Sequence, residues 1–400
     1  MEMYDTSKRG KNRMQIKFLD LKRQYYAYWK ELKEATNNVL QSGSYIGNLN
    51  DEKSEVSKLA RAIEKYTGAA HVIPCGSGTD ALMAIYINLV YNYVDVSKDI
   101  FVFPDFNFIA AIETFCLVNK NNSKYYLLPV DNEDYMLHLY PSFMGRLRHD
   151  SVGGSKFFIT VTDMFGQIAD YTQIRSDVVN RWVYIIEDAC QSFGAEHKGR
   201  KAGMFGDIAV TSFYPAKPFG GFGEGGAILI PKKNVELYTR LKAIINHGCE
   251  KTYEHKYIGF NGRMDEMQAA LLNVKIKHLD EELVERRRIA DYYIRELPKE
   301  IIPKQVTDKP SWAQFTIKLP YDFRDEFKTR LEDLGIPTCI HYPKLNSDQE
   351  CMKTADCIRV NDFCDCILSL PINPWLRPDE VNYIIENVNK VLNKWFKEGE

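Results

Sequence analysis

The chain lacks the long hydrophobic runs and the one-sided charge that mark membrane-spanning or nucleic-acid-binding proteins. No uninterrupted apolar stretch reaches about 18 residues, and no apolar core of a signal peptide follows the polar, basic start of the sequence. The 52 basic and 54 acidic side chains leave a formal net charge of -2, so no global field favours nucleic acid or anionic lipid. We therefore expect a cytoplasmic protein without a nucleic-acid or membrane partner.

Paired cysteines are also missing. The nine cysteines include no CxxC pair, and the densest group, Cys351 to Cys366, has spacings of five, six and one intervening residues. Structural zinc sites use paired cysteines, and an odd cysteine count without a secretion signal argues against a disulfide framework. His341 is the only nearby imidazole and does not complete a zinc site. We expect reduced thiols and no bound metal.

What the chain does have is the composition of a globular protein with a large core. It contains 400 residues, of which 45% are hydrophobic, 12% aromatic and 26% charged. This length predicts one large domain and a smaller one. Strand-like and helix-like segments alternate from about residue 30 to 230, which predicts an α/β fold with a mostly parallel sheet flanked by helices. The seven expected strands are HVIPC (71–75), IFVFP (100–104), YYLLPV (125–130), FFITVT (157–162), WVYIIED (182–188), AVTSFY (209–214) and GAILI (226–230).

The C-terminal part has a different pattern. Apolar residues at helical spacing predict one long helix from Asp265 to Leu297, which ends before Pro298. A short strand within 312–319, a helix within 324–335 and a last helix from about Pro378 to Lys397 indicate a small α+β domain. We therefore predict a large domain over residues 15–250 and a small domain over residues 251–400.

The segment GSGTD (76–80) has the pattern of an anion-binding turn. It follows a predicted strand and opens an apolar helix, Thr79 can cap that helix, and free amides at a helix N-terminus bind phosphate groups. With Ala81, the two glycines also match a dinucleotide fingerprint, and the next strand ends at Asp105, where a ribose-binding carboxylate could lie. This segment alone leaves open a phosphate site, a nicotinamide enzyme and a purely structural turn.

A second motif, IIEDACQSFGA, places Asp188 at the carboxyl end of a predicted buried strand, which is where open α/β sheets bind ligands. A buried carboxylate needs a cation or a hydrogen-bond donor, so this position predicts a partner. Gln191 adds a further donor at the same edge. The structural alternative is that Asp188 caps the following turn.

The third motif, SFYPAKPFGGFGEGGAILI, holds Lys217 between Pro215 and Pro218, which stiffen the backbone. A stiff mount suits a nucleophilic amine, although an isolated loop lysine is more often a solvated one with a pKa near ~10.4. Together the three motifs supply an amine, an anion cradle and a carboxylate, which are the groups that pyridoxal phosphate requires. A dehydrogenase would have no use for Lys217 and Asp188 in these settings.

With these residues in place, the sequence resembles the sugar aminotransferases of the DegT/DnrJ/EryC1/StrS family, which have the fold type I architecture of aspartate aminotransferase. The similarity runs through nearly the whole chain, in FLDLKRQYYAYWKELKEA, SGSYIGN, SGTDAL, PDFNFIAAIE, IIEDACQSFGA, GMFGDIAVTSFYPAKPFGGFGEGGAI, GFNGRMDEMQAALL and CILSLPINPWL. The resemblance implies a fold type I large domain with a seven-stranded sheet, and pyridoxal 5'-phosphate as the cofactor.

The resemblance also implies roles for individual residues. Lys217 would bind the aldehyde of the cofactor and Asp188 would pair with its pyridine nitrogen, which makes these two the catalytic residues. Phe108 would stack on the pyridine ring, although a buried core phenylalanine is the alternative, and Asn261 would reach the phosphate of the second subunit in a homodimer with shared active sites. The implied cofactor-binding residues are Gly78, Thr79, Asp80, Phe108, Asp188, Gln191, Ser212, Lys217 and Asn261.

The substrate side of the site is implied less directly. Tyr45, His341 and Tyr342 are similar to segments that approach the sugar in relatives, but these segments could equally be structural turns. Arg263 would add positive charge near the phosphate, and with these three it completes the implied substrate-binding residues. The resemblance implies that the chain moves an amino group from an amino acid, L-glutamate, to a keto group of a nucleotide-linked 6-deoxy sugar, in the synthesis of amino sugars for a polysaccharide or O-antigen. Another pyridoxal phosphate reaction on the same scaffold, such as dehydration, is the closer alternative, and a nicotinamide-dependent oxidoreductase the more distant one.

Overall fold

A computed structural model describes residues 14–92, 95, 98–119, 123–140, 144–145, 154–178, 182–352, 357 and 363–398. The strands are β1 (His71–Cys75), β2 (Ile100–Pro104), β3 (Lys124–Leu128), β4 (Lys156–Thr162), β5 (Trp182–Asp188), β6 (Glu196–His197), β7 (Arg200–Lys201), β8 (Ile208–Ser212), β9 (Gly226–Ile230), β10 (Cys249–Lys251), β11 (Glu254–His255), β12 (Phe315–Lys318) and β13 (Ile367–Leu370). The helices are α1 (Leu21–Ser42), α2 (Glu55–Thr67), α3 (Gly78–Asn92), α4 (Ala110–Val118), α5 (Tyr171–Asp177), α6 (Val235–Ile244), α7 (Glu266–Lys275), α8 (Leu279–Glu296), α9 (Arg324–Asp333) and α10 (Pro378–Glu398).

The predicted seven-stranded sheet is present, with the strand order β1-β9-β8-β5-β4-β2-β3. The pairs β2–β3, β2–β4, β4–β5 and β5–β8 are parallel, whereas β9 runs antiparallel to both β1 and β8. Successive residues of one strand enter opposite cores, because side chains alternate along a strand: Ile100 and Val102 pack in one cluster, Phe101 and Phe103 in another. The mostly parallel α/β fold is therefore confirmed.

The single long helix predicted from Asp265 to Leu297 is wrong. It is divided into α7 and α8, because the chain tightens between them into hydrogen bonds from Lys277 N to Val274 O (3.2 Å) and from His278 N to Lys275 O (3.0 Å). Tertiary contacts hold this break, since the imidazole of His278 stacks on Tyr28 of α1, with ring centroids 4.2 Å apart. Sequence periodicity carries no signal for a contact made by a distant helix.

Helix α8 passes from one hydrophobic core to another. Leu279 and Leu283 pack against the sheet-side cluster that includes Phe213 and Phe219, whereas Tyr293 packs in the C-terminal cluster. That C-terminal cluster is built from β12, β13, α9 and α10, at the positions where the sequence predicts a strand and two helices. The division into residues 15–250 and 251–400 stays a prediction.

A close backbone contact at Gly166 joins the sheet side to the C-terminal side. Gly166 has a φ of +93°, and a Cβ there would lie 2.5 Å from the backbone nitrogens of both Trp312 and Ala313. Ser311 N donates to Gly166 O (2.8 Å), and the hydroxyl of Ser311 donates to the carbonyl of Gln191 (3.2 Å). These bonds fix where β12 begins relative to the carboxyl ends of the parallel strands.

Within the ranges given above, none of the helices combines the length and the apolar character needed to cross a bilayer.

Candidate active site

A cavity of about 470 Å³ lies at the carboxyl ends of β5 and β8 and is closed on one side by the C-terminal part of the chain. This is the edge of an open α/β sheet at which ligands bind. The cavity brings together most of the residues singled out from the sequence: Gly78, Thr79, Phe108, Asp188, Gln191, Ser212, Lys217, His341 and Tyr342.

The glycine turn forms one end of the cavity. A Cβ at Gly78 would lie 3.0 Å from Ser212 Cβ and 3.1 Å from Cys190 Sγ, so a larger residue would crowd these side chains, and glycine lets the first turn of α3 pack closely on β8. Ser77, not Thr79, caps the helix, because Ser77 Oγ accepts the hydrogen bond from Asp80 N (2.9 Å). This capping bond leaves the Thr79 side chain on the cavity wall. The first amides of α3 thus adjoin the cavity, as an anion site requires.

Asp188 ends β5 and is only 7% exposed. Its Oδ1 accepts a hydrogen bond from Cys190 N (3.1 Å), and its Oδ2 accepts one from the hydroxyl of Thr162 (3.4 Å). The bond to Cys190 N is the turn-capping contact of the structural interpretation, yet the same carboxylate also lines the cavity. Burial raises the pKa of Asp188, while the donors from Cys190, the Lys217 ammonium and Thr162 act in the opposite direction.

Lys217 follows β8 in a tight turn, in which its backbone nitrogen donates to Tyr214 O (2.8 Å). Lys217 lines the same cavity as the glycine turn. Burial lowers the pKa of the Lys217 ammonium, and the Cys190 thiol and the Asp188 carboxylate act against this shift. A lysine with a lowered pKa spends more time as a neutral amine, which is the nucleophilic form.

Gln191 has its amide group fixed from two sides. Its Oε1 accepts from Phe165 N (3.0 Å), and its Nε2 donates to the hydroxyl of Tyr342 (3.2 Å). Next to Tyr342, His341 Nδ1 lies 3.0 Å from Ser369 Oγ. Burial, with a smaller contribution from Lys217, lowers the pKa of His341 to about 4, so this imidazole is neutral near pH 7. Gln191, His341 and Tyr342 thus form a neutral polar wall.

Phe108 is not a core residue. Its side chain is 55% exposed and lines the cavity, with its ring centroid 6.1 Å from that of Tyr342. The fully buried phenylalanine of this loop is Phe106, whose ring packs edge-on against Tyr342 at 5.9 Å. An exposed aromatic ring beside a polar cavity is available to stack on a planar ligand.

Four residues predicted for the site lie outside this cavity. Asp80 is inside the first turn of α3, where burial raises the pKa of its carboxyl. Tyr45 is 52% exposed, and its carbonyl accepts from Glu266 N (3.0 Å). Asn261 is exposed and bridges to Asn246. Arg263 donates to Asn246 Oδ1 and lines a separate cavity of about 540 Å³. The roles of these four remain predictions.

The structure also adds cavity residues to which the sequence analysis gave no role. Cys190 and Tyr214 lie within three residues of Asp188 and Lys217, so their position in the motifs was an available signal. Gln314 had no such signal, because β12 brings it to the cavity from a distant part of the sequence. Its Oε1 is buried and has no hydrogen-bond partner in the part of the chain that the structure describes, which suits a donor on a ligand.

The nicotinamide alternative required a free carboxylate after β2. Asp105 is instead engaged by the C-terminal part, because Ser347 N donates to its Oδ1 (2.7 Å) and the Ser347 hydroxyl to its Oδ2 (2.6 Å). Both carboxylate oxygens are therefore occupied by protein donors. The nicotinamide alternative, in which a ribose-binding carboxylate could lie at Asp105, therefore finds this carboxylate already engaged.

An amine with a lowered pKa, a buried carboxylate, a helix N-terminus and an exposed ring around one cavity fit pyridoxal phosphate, and on this sheet they define a fold type I aminotransferase. The chain belongs to the DegT/DnrJ/EryC1/StrS aminotransferase family, whose family model matches residues 28–389. This confirms the resemblance seen in the sequence, the aminotransferase class and the cofactor pyridoxal phosphate.

Three similar proteins illustrate the relationship. The chain is 30% identical to a UDP-2-acetamido-2-deoxy-3-oxo-D-glucuronate aminotransferase of Pseudomonas aeruginosa, over 92% of this chain and 98% of that one. It is 32% identical to a dTDP-3-amino-3,6-dideoxy-alpha-D-galactopyranose transaminase of Aneurinibacillus thermoaerophilus, over 94% and 99%. Among solved structures, S. venezuelae DesV in complex with a ketimine intermediate matches with a TM-score of 0.83 and 27% identity, over 94% of this chain and 98% of that one.

Proposed function

We propose that this protein transfers an amino group from L-glutamate to a keto group of a nucleotide-linked sugar. The observation that carries the proposal is that Lys217 and Asp188 line one cavity together with the N-terminal turn of α3. When bound there, pyridoxal phosphate supplies an aldehyde that accepts the amino group and a ring that accepts an electron pair. The residues around it must bind, orient and exchange protons.

Lys217 is the residue proposed to form the bond to the cofactor and to move protons. Burial lowers the pKa of its ammonium group, which favours the neutral amine that accepts a proton as general base and returns it as general acid. Asp188 is proposed to pair with the pyridine nitrogen, because a buried carboxylate stabilises a cation more strongly than a solvated one does. Thr79, Ser212 and the first amides of α3 would hold the phosphate, and Phe108 would cover the ring.

The names of the relatives support a nucleotide sugar as the acceptor. One relative is named for a UDP-linked 3-oxo sugar acid and the other for a dTDP-linked 3-amino-3,6-dideoxy sugar. Both names place the reacting position at carbon 3, so a 3-keto nucleotide sugar is the first substrate to test. Gln314, whose buried Oε1 lacks a protein donor, and the neutral His341 are suited to sugar hydroxyl groups.

A homodimer with shared active sites is part of the proposal. Asn261, Arg263 and Tyr45 lie outside the Lys217 cavity of their own subunit, and Tyr45 and Asn261 are exposed. This placement is expected if these residues complete the cavity of a second subunit. Mixing Lys217→Ala with Asn261→Ala protein should then give partly active mixed dimers, whereas no recovery of activity would contradict shared sites.

The cytoplasmic location, the role in polysaccharide or O-antigen synthesis, and the lack of nucleic-acid and membrane partners stay predictions.

The test of the reaction has two parts. Borohydride treatment of the yellow protein, followed by peptide mapping, should label Lys217 and leave the buried Lys275 unlabelled. Labelling elsewhere, or a colourless folded protein, would contradict the proposal. An assay with L-glutamate should then compare a UDP-linked 3-keto sugar acid, a dTDP-linked 3-keto-6-deoxy sugar and a 4-keto-6-deoxy sugar. Turnover of none of them would exclude the proposed acceptor class.

A further inference from the structure

A row of buried polar side chains lies behind Asp188. Asn346 Nδ2 donates to Asn107 Oδ1 (2.5 Å), Asn107 Nδ2 donates to Thr162 Oγ1 (3.0 Å), and the Thr162 hydroxyl donates to Asp188 Oδ2 (3.4 Å). All four side chains belong to buried residues, the most exposed being Asp188 at 7%. The row therefore connects the C-terminal part of the chain to the carboxylate through hydrogen bonds shielded from water.

Each bond in this row has a fixed direction. An amide nitrogen only donates and an amide oxygen only accepts, so the bond from Asn346 determines that Asn107 presents its Nδ2 group to Thr162. Thr162 Oγ1 then acts as an acceptor toward Asn107, which leaves its own proton for Asp188. The orientation of the Asn107 amide thus determines that the Thr162 hydroxyl donates its proton to the carboxylate of Asp188.

The outer end of the row is anchored. Asn346 N donates to Asp105 O (2.7 Å), and Ser347 donates to both carboxylate oxygens of Asp105. The loop that carries Asn107 is therefore fastened to the segment that carries Asn346 by bonds outside the row itself. A row held in this way loses little conformational freedom when a ligand enters the cavity.

We propose that Asn346, Asn107 and Thr162 are positioning residues that hold the carboxylate of Asp188 ionised and directed at the cavity. The inference rests on the proposed function, because an ionised carboxylate is needed there as the partner of a protonated pyridine nitrogen. Burial disfavours the charge on Asp188, and a hydrogen bond to the charged form offsets part of that cost.

The other titratable groups that influence or are influenced by Asp188 come from several elements: Lys217, Cys190, Tyr342, Tyr86 and Tyr171. They are unchanged by substitutions in the row. A change in the pH behaviour of the cofactor on removing the Thr162 hydroxyl is therefore attributable to the hydrogen bond.

The test compares Thr162→Val, which keeps the shape and removes the hydroxyl, with Thr162→Ser, which keeps the hydroxyl. The absorption of bound pyridoxal phosphate is recorded against pH, together with kcat, KM and the thermal unfolding of each variant. The bond from Thr162 to Asp188 is long, at 3.4 Å, so its expected effect is smaller than that of an ideal hydrogen bond to a charged group. We expect Thr162→Val to lower kcat about threefold to tenfold with little change in KM, and to move the pH midpoint of the cofactor spectrum; Thr162→Ser should restore both.

If the spectrum midpoint and kcat of Thr162→Val equal those of the unmodified protein, the positioning role is wrong. Failure of Thr162→Ser to restore them would assign the effect to packing and also overturn the inference. Should Thr162→Val not fold, Thr162→Ala decides the same point, because it removes the same hydroxyl without adding a charge and should shift the midpoint in the same direction. An unmodified protein that binds no pyridoxal phosphate would instead overturn the proposed function, and this inference with it.

Discussion

Two lysines of this chain, the half-buried Lys217 and the buried Lys275, lie in opposite surroundings. Lys275, whose side chain is 1% exposed, forms an ion pair with Glu282, and Glu282 also accepts a hydrogen bond from the hydroxyl of Tyr28 (3.0 Å). Lys217 lines a cavity and, in the described part of the chain, has no carboxylate within ion-pair distance. Burial lowers the pKa of both ammonium groups.

The difference separates a structural charge from a reactive one. The charge of Lys275 is compensated inside the protein, across the break between α7 and α8, so removing Lys275 leaves the buried Glu282 carboxylate without its ion-pair partner, with the Tyr28 hydroxyl and the more distant Arg286 still beside it. Lys217 has room beside it for a ligand that completes its environment. A lowered lysine pKa therefore indicates a reactive group only where an open cavity accompanies it.

The largest effect is expected from Lys217→Ala, which tests whether Lys217 is the reactive lysine of the two. Loss of the amine removes both the bond to the cofactor and the proton transfer, so multiple turnover should fall by about a thousandfold or more. The midpoint of thermal unfolding should stay close to that of the unmodified protein, because no internal ion pair is lost. Steady-state assays and calorimetry check both statements. Retained turnover would remove Lys217 from its proposed role.

Lys275→Met should show the reverse pattern. It leaves Glu282 buried without its cation, which we expect to cost about 3–5 kcal/mol of the free energy of unfolding. The folded fraction should still bind pyridoxal phosphate and turn over, since Lys275 does not line the cavity. Chemical denaturation measures the loss, and the double variant Lys275→Met with Glu282→Leu is the control that should recover much of it. A stability unchanged in Lys275→Met would mean that the pair is not structural.

A smaller effect is expected from pH, through His341. Its pKa in the folded protein is about 4, below the usual value of about 6.5, so the unfolded chain binds more protons between these values. The stability of the apoprotein should therefore fall as the pH decreases from 6.5 toward 4, by at most about 3 kcal/mol from this residue. Denaturation at several pH values should show a flatter dependence for His341→Asn. An identical slope in both proteins would contradict the assignment.

The smallest expected effect concerns the cap of α3. Ser77→Ala removes the acceptor for Asp80 N and should cost about 1 kcal/mol of stability, whereas Thr79→Ala should cost less, because Thr79 does not cap the helix. The affinity for the phosphate of the cofactor should instead fall more in Thr79→Ala. Denaturation and cofactor titration of the two variants separate these contributions, and a larger stability loss in Thr79→Ala would reverse the assignment.

The sheet and much of the Lys217 cavity could be predicted from the sequence because their signals are local. Each strand is a short apolar run, and Asp188 and Lys217 follow their strands within motifs of a few residues. The break after Lys275 could not be predicted, because it depends on contacts with Tyr28, far away in the sequence. The helix cap was ambiguous because Ser77 and Thr79 both carry hydroxyl groups, and only backbone geometry selects between them.

The same distinction applies to the polar residues that the C-terminal part of the chain brings to the cavity and to the row behind Asp188. Gln314 and Asn346 lie far along the chain from the motifs they approach, and no spacing rule connects them to Asp188. Their side chains reach these positions only when β12 and the segment after Tyr342 fold against the sheet.

The two backbones that meet at Gly166 lie so close together that the contact has no room for a side chain. The side chain of Gln191 accepts a hydrogen bond from Phe165 N, next to Gly166, and its carbonyl accepts one from the hydroxyl of Ser311, on the other side of the contact. Gln314 follows Ser311 by three residues. An alanine at this point would wedge the two backbones apart and displace both glutamines at once. A single added methyl group, remote from any reacting atom, could therefore misalign opposite walls without altering a functional group.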